Sequence, residues 1–336
     1  MPKKTYLQAI NEAMRSEMRR DERVIVIGED VAGGQGSSGE VGGVGSVFGQ
    51  MQGLYKEFGA ERVIDTPISE SAIMGAAAGA ALTGLRPVAE LMFVDFVGVC
   101  FDQIYNQAAK FRYMFGGHAT TPMVIRAAAG AGFRAAAQHS QTLHPLFTMI
   151  PGLKVVMPSN PYDAKGLLIE AIRDDDPVIF LESKSLYGME GDVPDEAYRI
   201  PFGEANVARE GDDITLVAFG AMVPRTLAVA QALAKHGIDA EVIDPRTTSP
   251  LDEETILESI RRTGRLVVID ESPPRCSMAA DIAALVAEKA FGSLKAPILK
   301  VTCPHTPVPF SPVLEDAYVP TAGRIEEAIR AVLAYS

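Results

Sequence analysis

"PGLKVVMPSNPYDAKGLLIEAIRDDDPVIFLE", Pro151 to Glu182, holds one complete unit of a pattern that organises the whole chain. Leu153–Met157 is a short apolar run, residues 161–174 repeat their apolar positions with helical spacing, and Val178–Leu181 is a second apolar run. Short apolar runs of this length read as buried strands, and a strand, a helix and a strand in succession predict a parallel pair. The alternation extends towards the N-terminus. Apolar runs stand at Val24–Ile27, Pro87–Phe93 and Pro122–Arg126, with helical patterns around residues 5–20, 69–83 and 95–115. Such alternation predicts a mostly parallel sheet with helices on both faces.

Ser185 to Asp213 breaks the pattern with Gly, Pro and acidic residues, and reads as an inter-domain linker with room for an edge strand. A second alternation follows. "ITLVAFG", "DAEVIDP", "RLVVIDE" and "PILKVTC" are strands, and residues 223–236, 253–263, 278–291 and 324–334 are helical. The expected fold is therefore α/β with two domains, residues 1–190 and 213–336, joined by a linker at 191–212. A chain of 336 residues suits two domains at roughly 150 residues each.

Composition narrows the function. With 47% hydrophobic and 22% charged residues, the chain is a well-buried globular protein. A net charge of −12 argues against a nucleic-acid or anionic-membrane surface, which needs clustered Lys and Arg. Cys100, Cys276 and Cys303 are too few and too scattered for a disulfide framework, a zinc ribbon or an iron–sulfur cluster. The lysines near the N-terminus lead into an amphipathic helix and not into the apolar stretch of a signal peptide. Ala72–Leu82, the most apolar helix, is too short to span a bilayer. A cytoplasmic protein is expected.

Two glycine motifs imitate nucleotide sites. After Val24–Ile27, the residues Gly34, Gly36 and Gly39 complete a G-x-G-x-x-G. That fingerprint works only where the turn opens a helix whose N-terminus meets the pyrophosphate. Glycines continue through Gly42, Gly43, Gly45 and Gly49, each costing about 1 kcal/mol in a helix interior, so no helix can open before about Gln50. A long loop near a cleft is the better reading. "GAGFRA", Gly130 to Ala135, has no acidic residue about 20 positions on for a ribose hydroxyl.

Four places could carry chemistry. Glu70, in "RVIDTPISESAIMGAAAGAALTG", falls in the first turn of a helix. It fits a partner of the helix dipole, and equally a carboxyl at the mouth of the crevice where open α/β sheets bind ligands. His139, in "AAAQHSQTLHPLF", fits a general acid/base or a capping-region histidine, and its i, i+5 spacing to His144 disfavours zinc. His118, His144, His236 and His305 show no partner signature and are expected at the surface or in loops. Phe96 suits a core position or a stack on a heteroaromatic ring. "AIRDDDP" ends a helix with acids, which suits a solvated turn or a cation bound by helix-end carbonyls.

"VIGEDVA", "RVIDTPISE", "GLRPVAELMFVDF", "DQIYNQAAKFRYMFGG", "AAQHSQ", the opening stretch and "PFSPVLED" together resemble one family along essentially the whole chain. It is the beta chain of the thiamine-diphosphate-dependent decarboxylating component of 2-oxoacid dehydrogenase complexes. "GAGFRAAAQHSQ", "ELMFVDF" and "CPHTPVPFSPVLEDAYVPT" look most like its acetoin dehydrogenase branch.

The resemblance implies a transketolase-like pyrimidine-binding domain followed by a C-terminal domain. It implies that Glu70 faces the ring nitrogen of the cofactor's aminopyrimidine, where a shared proton activates the cofactor. Phe96 matches the aromatic that stacks on that ring. His139 matches a histidine serving the bound substrate or the incoming lipoyl group, and Glu29 an acid between paired active sites. The stretch Ala171, Ile172, Asp174 and Asp176 resembles a structural potassium site.

The family holds the diphosphate and Mg²⁺ with a G-D-G motif and paired asparagines. "GDD" at 211 and "GDV" at 191 lack the second glycine. The phosphate half is thus expected on an alpha chain, in an α2β2 heterotetramer, with a lipoyl-bearing acyltransferase core as further partner. The C-terminal domain is expected to make dimer contacts and dock that core, with Cys276 and Cys303 as buried structural thiols. The implied activity is acetoin cleavage with transfer of a two-carbon unit to lipoamide. Pyruvate or branched-chain 2-oxoacid oxidation is the alternative within the family, and a non-catalytic α/β partner subunit the alternative outside it.

Overall fold

The computed structural model describes residues 1–33 and 45–335, so Gly34, Gly36 and Gly39 of the first glycine motif lie outside the described residues. The chain packs as two units.

The first unit comprises residues 1–129, 146–182 and 186–202. The strands of its main sheet are β1 (Val24–Glu29), β2 (Val63–Thr66), β3 (Arg86–Phe93), β4 (Val124–Ala129), β5 (Lys154–Val156) and β6 (Val178–Ser183). They hydrogen-bond in the order β5-β6-β4-β3-β1-β2. β1 runs parallel to both β2 and β3, β3 to β4, and β5 to β6. Every residue of β4 and β6 is buried, as continuous apolar runs in a parallel sheet require.

Three helices matter most here: α1 (Tyr6–Arg20), α2 (Glu70–Leu82) and α3 (Pro161–Arg173). Thr5 and Gln8 close a capping box at the start of α1, and the Asn160 side chain accepts the Asp163 N–H at the start of α3. α1 packs on α3, where the buried Glu17 carboxylate is held by Arg20 and Arg173. Among the described residues, no helix is long and apolar enough to cross a membrane.

Among the elements around the site, two differ from the sequence reading. β2 was not foreseen; it has only two apolar residues and sits at the sheet edge. The helix expected over 95–115 is broken into a 3₁₀ turn at Val94–Phe96, a helix at Val97–Asp102, a π-helical stretch at Gln103–Ala108 and a short helix at Phe111–Met114. α2 packs on this broken region, and a Cβ on Gly75 would come within 3.4 Å of the Gln103 amide.

The second unit comprises residues 130–145, 183–185 and 203–336. β7 (Asn206–Arg209), β8 (Ile214–Ala218), β9 (Ala240–Asp244), β10 (Leu266–Asp270) and β11 (Leu299–Thr302) hydrogen-bond in the order β11-β10-β8-β9-β7. Only β7 pairs antiparallel, so the stretch read as a linker supplies an edge strand. Ile214, Leu216, Val242, Val267 and Ile269 meet Ile325 and Ile329 of the last helix in one apolar core. The expected boundary is a single cut near 191–212, whereas in space residues 130–145 pack with this second unit.

Candidate functional site

Neighbouring strands β1 and β3 send the chain in opposite directions: β1 leads towards β2 on one flank, and β3 towards β4 on the other. Open α/β sheets bind ligands outside the carboxyl ends of their strands at such a switch point. Glu29 is the last residue of β1 and lies beside Thr66, the last residue of β2. Glu70 opens α2 just beyond β2, and Phe96 closes the 3₁₀ turn just beyond β3. The fold thus brings Glu29, Glu70 and Phe96, all half-buried, to one end of three adjacent strands.

The electrostatics of this end are one-sided. Burial pushes the Glu29 carboxyl above its ordinary pKa, and Asp30, Glu70 and Asp65 push it further. The Asp65 carboxylate accepts the Ala32 N–H at 2.9 Å, which ties the turn after β1 to β2. Glu29, Asp30, Asp65 and Glu70 thus place four acids at this end of the sheet.

Phe96 is supported from behind. Its ring meets Phe93 edge-on at 5.6 Å, Phe93 meets Phe48 edge-on at 5.8 Å, and Phe48 lies 5.1 Å from Tyr187. Next to this ladder runs a buried ion cluster across three neighbouring strands: Glu182 of β6, Arg126 of β4 and Glu90 of β3. The Arg126 Nε donates to Glu182 at 2.7 Å, and its Nη1 stands 3.6 Å from Glu90. Tyr187 donates to Glu182 at 3.0 Å, and the Gln50 amide donates to Tyr187 at 3.0 Å. Ser46 donates to Glu90. Burial pushes the Glu90 carboxyl up to about 7; Arg126 and Ser46 oppose the rise, and Glu182 and Glu29 add to it. Gly28 makes the room, since a Cβ there would come within 2.9 Å of the Glu90 Cβ.

His139 lies in the second unit, half-buried, on the segment that follows β4. The "GAGFRA" turn on that segment holds no free row of amides for a phosphate. Its Ala131, Gly132 and Arg134 N–H groups donate to the carboxylates of Glu271 and Glu315.

At the end of α3, the carbonyls of Ile172 and Asp174 accept from the Arg86 guanidinium at 3.1 and 2.9 Å. Ala171 accepts the Asp174 N–H at 3.3 Å. Lys154 pairs with the side chains of Asp174 and Asp176, and Arg112 with Asp176. Protein cations therefore already serve the acids of this turn.

Two expectations are corrected. His144, expected at the surface or in a loop, is fully buried, with Nε2 3.3 Å from Asp270 and its ring stacked on Phe219. Cys276, expected to be buried, is exposed, whereas Cys303 is buried and burial raises its thiol pKa. The sequence reading passed over Glu90, Arg126 and Glu182. The signal was present, because a charge inside an otherwise apolar strand must find a buried partner.

Comparison with known proteins agrees with this layout. Residues 2–190 match the family model of the transketolase pyrimidine binding domain, and residues 203–325 that of the transketolase C-terminal domain. An acetoin:2,6-dichlorophenolindophenol oxidoreductase subunit beta from Cupriavidus necator is 65% identical, covering 96% of this chain and 95% of its own. The subunit of the same name from Bacillus subtilis is 60% identical, covering 94% and 93%. A solved split-gene transketolase, described as an inactive beta4 tetramer, superimposes with a TM-score of 0.78 over 98% of each chain at 24% identity, a likeness of fold.

Proposed function

Because the chain belongs to the transketolase-like beta-subunit family of the acetoin and 2-oxoacid dehydrogenases, we propose that it is the beta subunit of a thiamine-diphosphate-dependent acetoin dehydrogenase. The observation that carries this reading is the meeting of Glu70, Phe96 and Glu29 at the switch point between β1 and β3. An aromatic face next to a carboxyl is what an aminopyrimidine ring needs. When bound, the cofactor would supply a carbon nucleophile.

The residues of this chain do the rest. Phe96 would stack on the pyrimidine, Glu70 would hold and return a proton at its ring nitrogen, and Glu29 would stand near that carboxyl at the end of β1. His139 exchanges a proton with the substrate oxygen or the incoming acceptor. The carbon–carbon bond between the carbonyl and carbinol carbons of acetoin breaks, and acetaldehyde leaves. The remaining acetyl unit passes to lipoamide, whose disulfide is reduced as the thioester forms.

The finer assignments belong to the same reading. The acidic end of this sheet favours the pyrimidine half of the cofactor here and the diphosphate with Mg²⁺ on an alpha chain, in an α2β2 complex. A lipoyl-bearing core is the acceptor. A structural potassium ion at 171–176 would share the Ile172 and Asp174 carbonyls with Arg86.

The test co-expresses this chain with its alpha chain, adds thiamine diphosphate and Mg²⁺, and follows dichlorophenolindophenol reduction with acetoin, pyruvate and a branched-chain 2-oxoacid. Acetoin is expected to give the highest kcat/KM, by at least about tenfold. A preference for either 2-oxoacid would overturn the acetoin assignment.

A further inference from the structure

The segment that carries His139 is held in an unusual way. It leaves β4 at Gly130, whose N–H donates to the Gln141 carbonyl at 2.9 Å, so the segment closes on itself as a strap. Arg134 and Ala136, neither of them glycine, sit at φ of 57° and 60°, a left-handed conformation that only surrounding bonds can maintain. Those bonds come from two buried carboxylates. Glu271 accepts the Ala131 N–H at 2.5 Å. Glu315, with no exposed surface, accepts the Gly132 N–H at 3.0 Å, the Arg134 N–H at 3.2 Å and the Arg134 guanidinium. Asp316 takes the other end of that guanidinium at 2.7 Å. The Lys184 ammonium donates to the carbonyl of His139 itself. Gly130 is required as well: its φ is +89°, and a Cβ there would stand 3.1 Å from Glu271 Oε1.

Carboxyl oxygens of this chain thus take the amides that a nucleotide loop would offer to a phosphate. Buried carboxylates are costly, and their desolvation is offset here by several backbone and guanidinium donors. Apolar packing would fill the same volume more cheaply, so the arrangement calls for a use.

We propose that Glu315 and Glu271 are positioning residues for His139, holding the strap in the one backbone conformation that presents the imidazole to the substrate. This rests on the reading of His139 given above.

The test uses the complex reconstituted from this chain and its alpha chain, loaded with thiamine diphosphate and Mg²⁺. Glu315→Gln, Gly130→Ala, His139→Asn and the two doubles with His139→Asn are compared for kcat, KM and thermal unfolding. Backbone hydrogen exchange is followed at Ala131, Gly132 and Arg134. Glu315→Gln is expected to speed exchange at those amides and lower kcat at least about tenfold with little change in KM. In the His139→Asn background it should cost less than about twofold more, because both changes remove the same contribution.

An equal fold-loss on both backgrounds, or no loss of kcat in Glu315→Gln, would overturn the proposal while leaving His139 in place. Full activity of His139→Asn would instead remove the premise itself. If Glu315→Gln does not fold, Gly130→Ala, which keeps every hydrogen-bonding side chain, decides by the same cycle.

Discussion

Glu70 stands at the first position of a helix, where a carboxylate needs no further explanation than the helix dipole. What separates it from an ordinary helix start is its company: Glu29, Asp30 and Asp65 crowd the same strand ends, and Phe96 lies beyond the neighbouring strand. Glu70→Gln keeps the shape and removes the proton, so turnover of the reconstituted complex should fall by about 10²- to 10⁴-fold with the melting temperature nearly unchanged. A variant with undiminished turnover would take Glu70 out of the mechanism. Phe96→Ala should weaken cofactor binding by about 1 kcal/mol, roughly fivefold, read by titrating thiamine diphosphate against protein fluorescence. Unchanged affinity would show that the ring does not stack on the cofactor. Glu29, Glu70 and Phe96 could be singled out in the sequence because each sits inside a contiguous motif. Glu315 could not, because the amides it serves lie 181 and 183 residues away in sequence and only the fold brings them together.

At the scale of elements, the alternation of apolar runs and helical patterns marked β1, β3, β4, β5 and β6 to within a few residues. It missed β2, whose two apolar residues fall below what periodicity can register. It also joined into one helix a stretch that hydrogen bonding divides, since the Ala109 N–H reaches back to Ile104 at 3.1 Å and opens a wide turn. The charged line Glu182–Arg126–Glu90 across β6, β4 and β3 ties the sheet to the chain around Ser46 and Gln50.

Its titration is testable. The Glu90 carboxyl lies at about 7 when folded, above its ordinary 4.5, so the folded protein binds this proton more readily than the unfolded chain. The associated stability is fully present below the unfolded value and is lost as pH rises through about 7. Glu90→Gln lacks this loss, so its melting temperature should gain on that of the parent chain between about pH 5 and pH 8. A pH-independent difference would show that Glu90 does not titrate in this range.

On the scale of the whole molecule, Glu29, Glu70 and Phe96 belong to the first unit and His139 to the second. The acidic end of the first sheet gathers Glu29, Asp30, Asp65 and Glu70, and in the "GAGFRA" turn the N–H groups of Ala131, Gly132 and Arg134 already donate to Glu271 and Glu315. In the proposed function this chain is one half of a cofactor site. The most direct test is a calorimetric titration of thiamine diphosphate with Mg²⁺ into this chain alone and into its equimolar mixture with the alpha chain. The account predicts saturable binding by the mixture and none by this chain alone at the same concentrations. Equally tight binding by the isolated chain would contradict it.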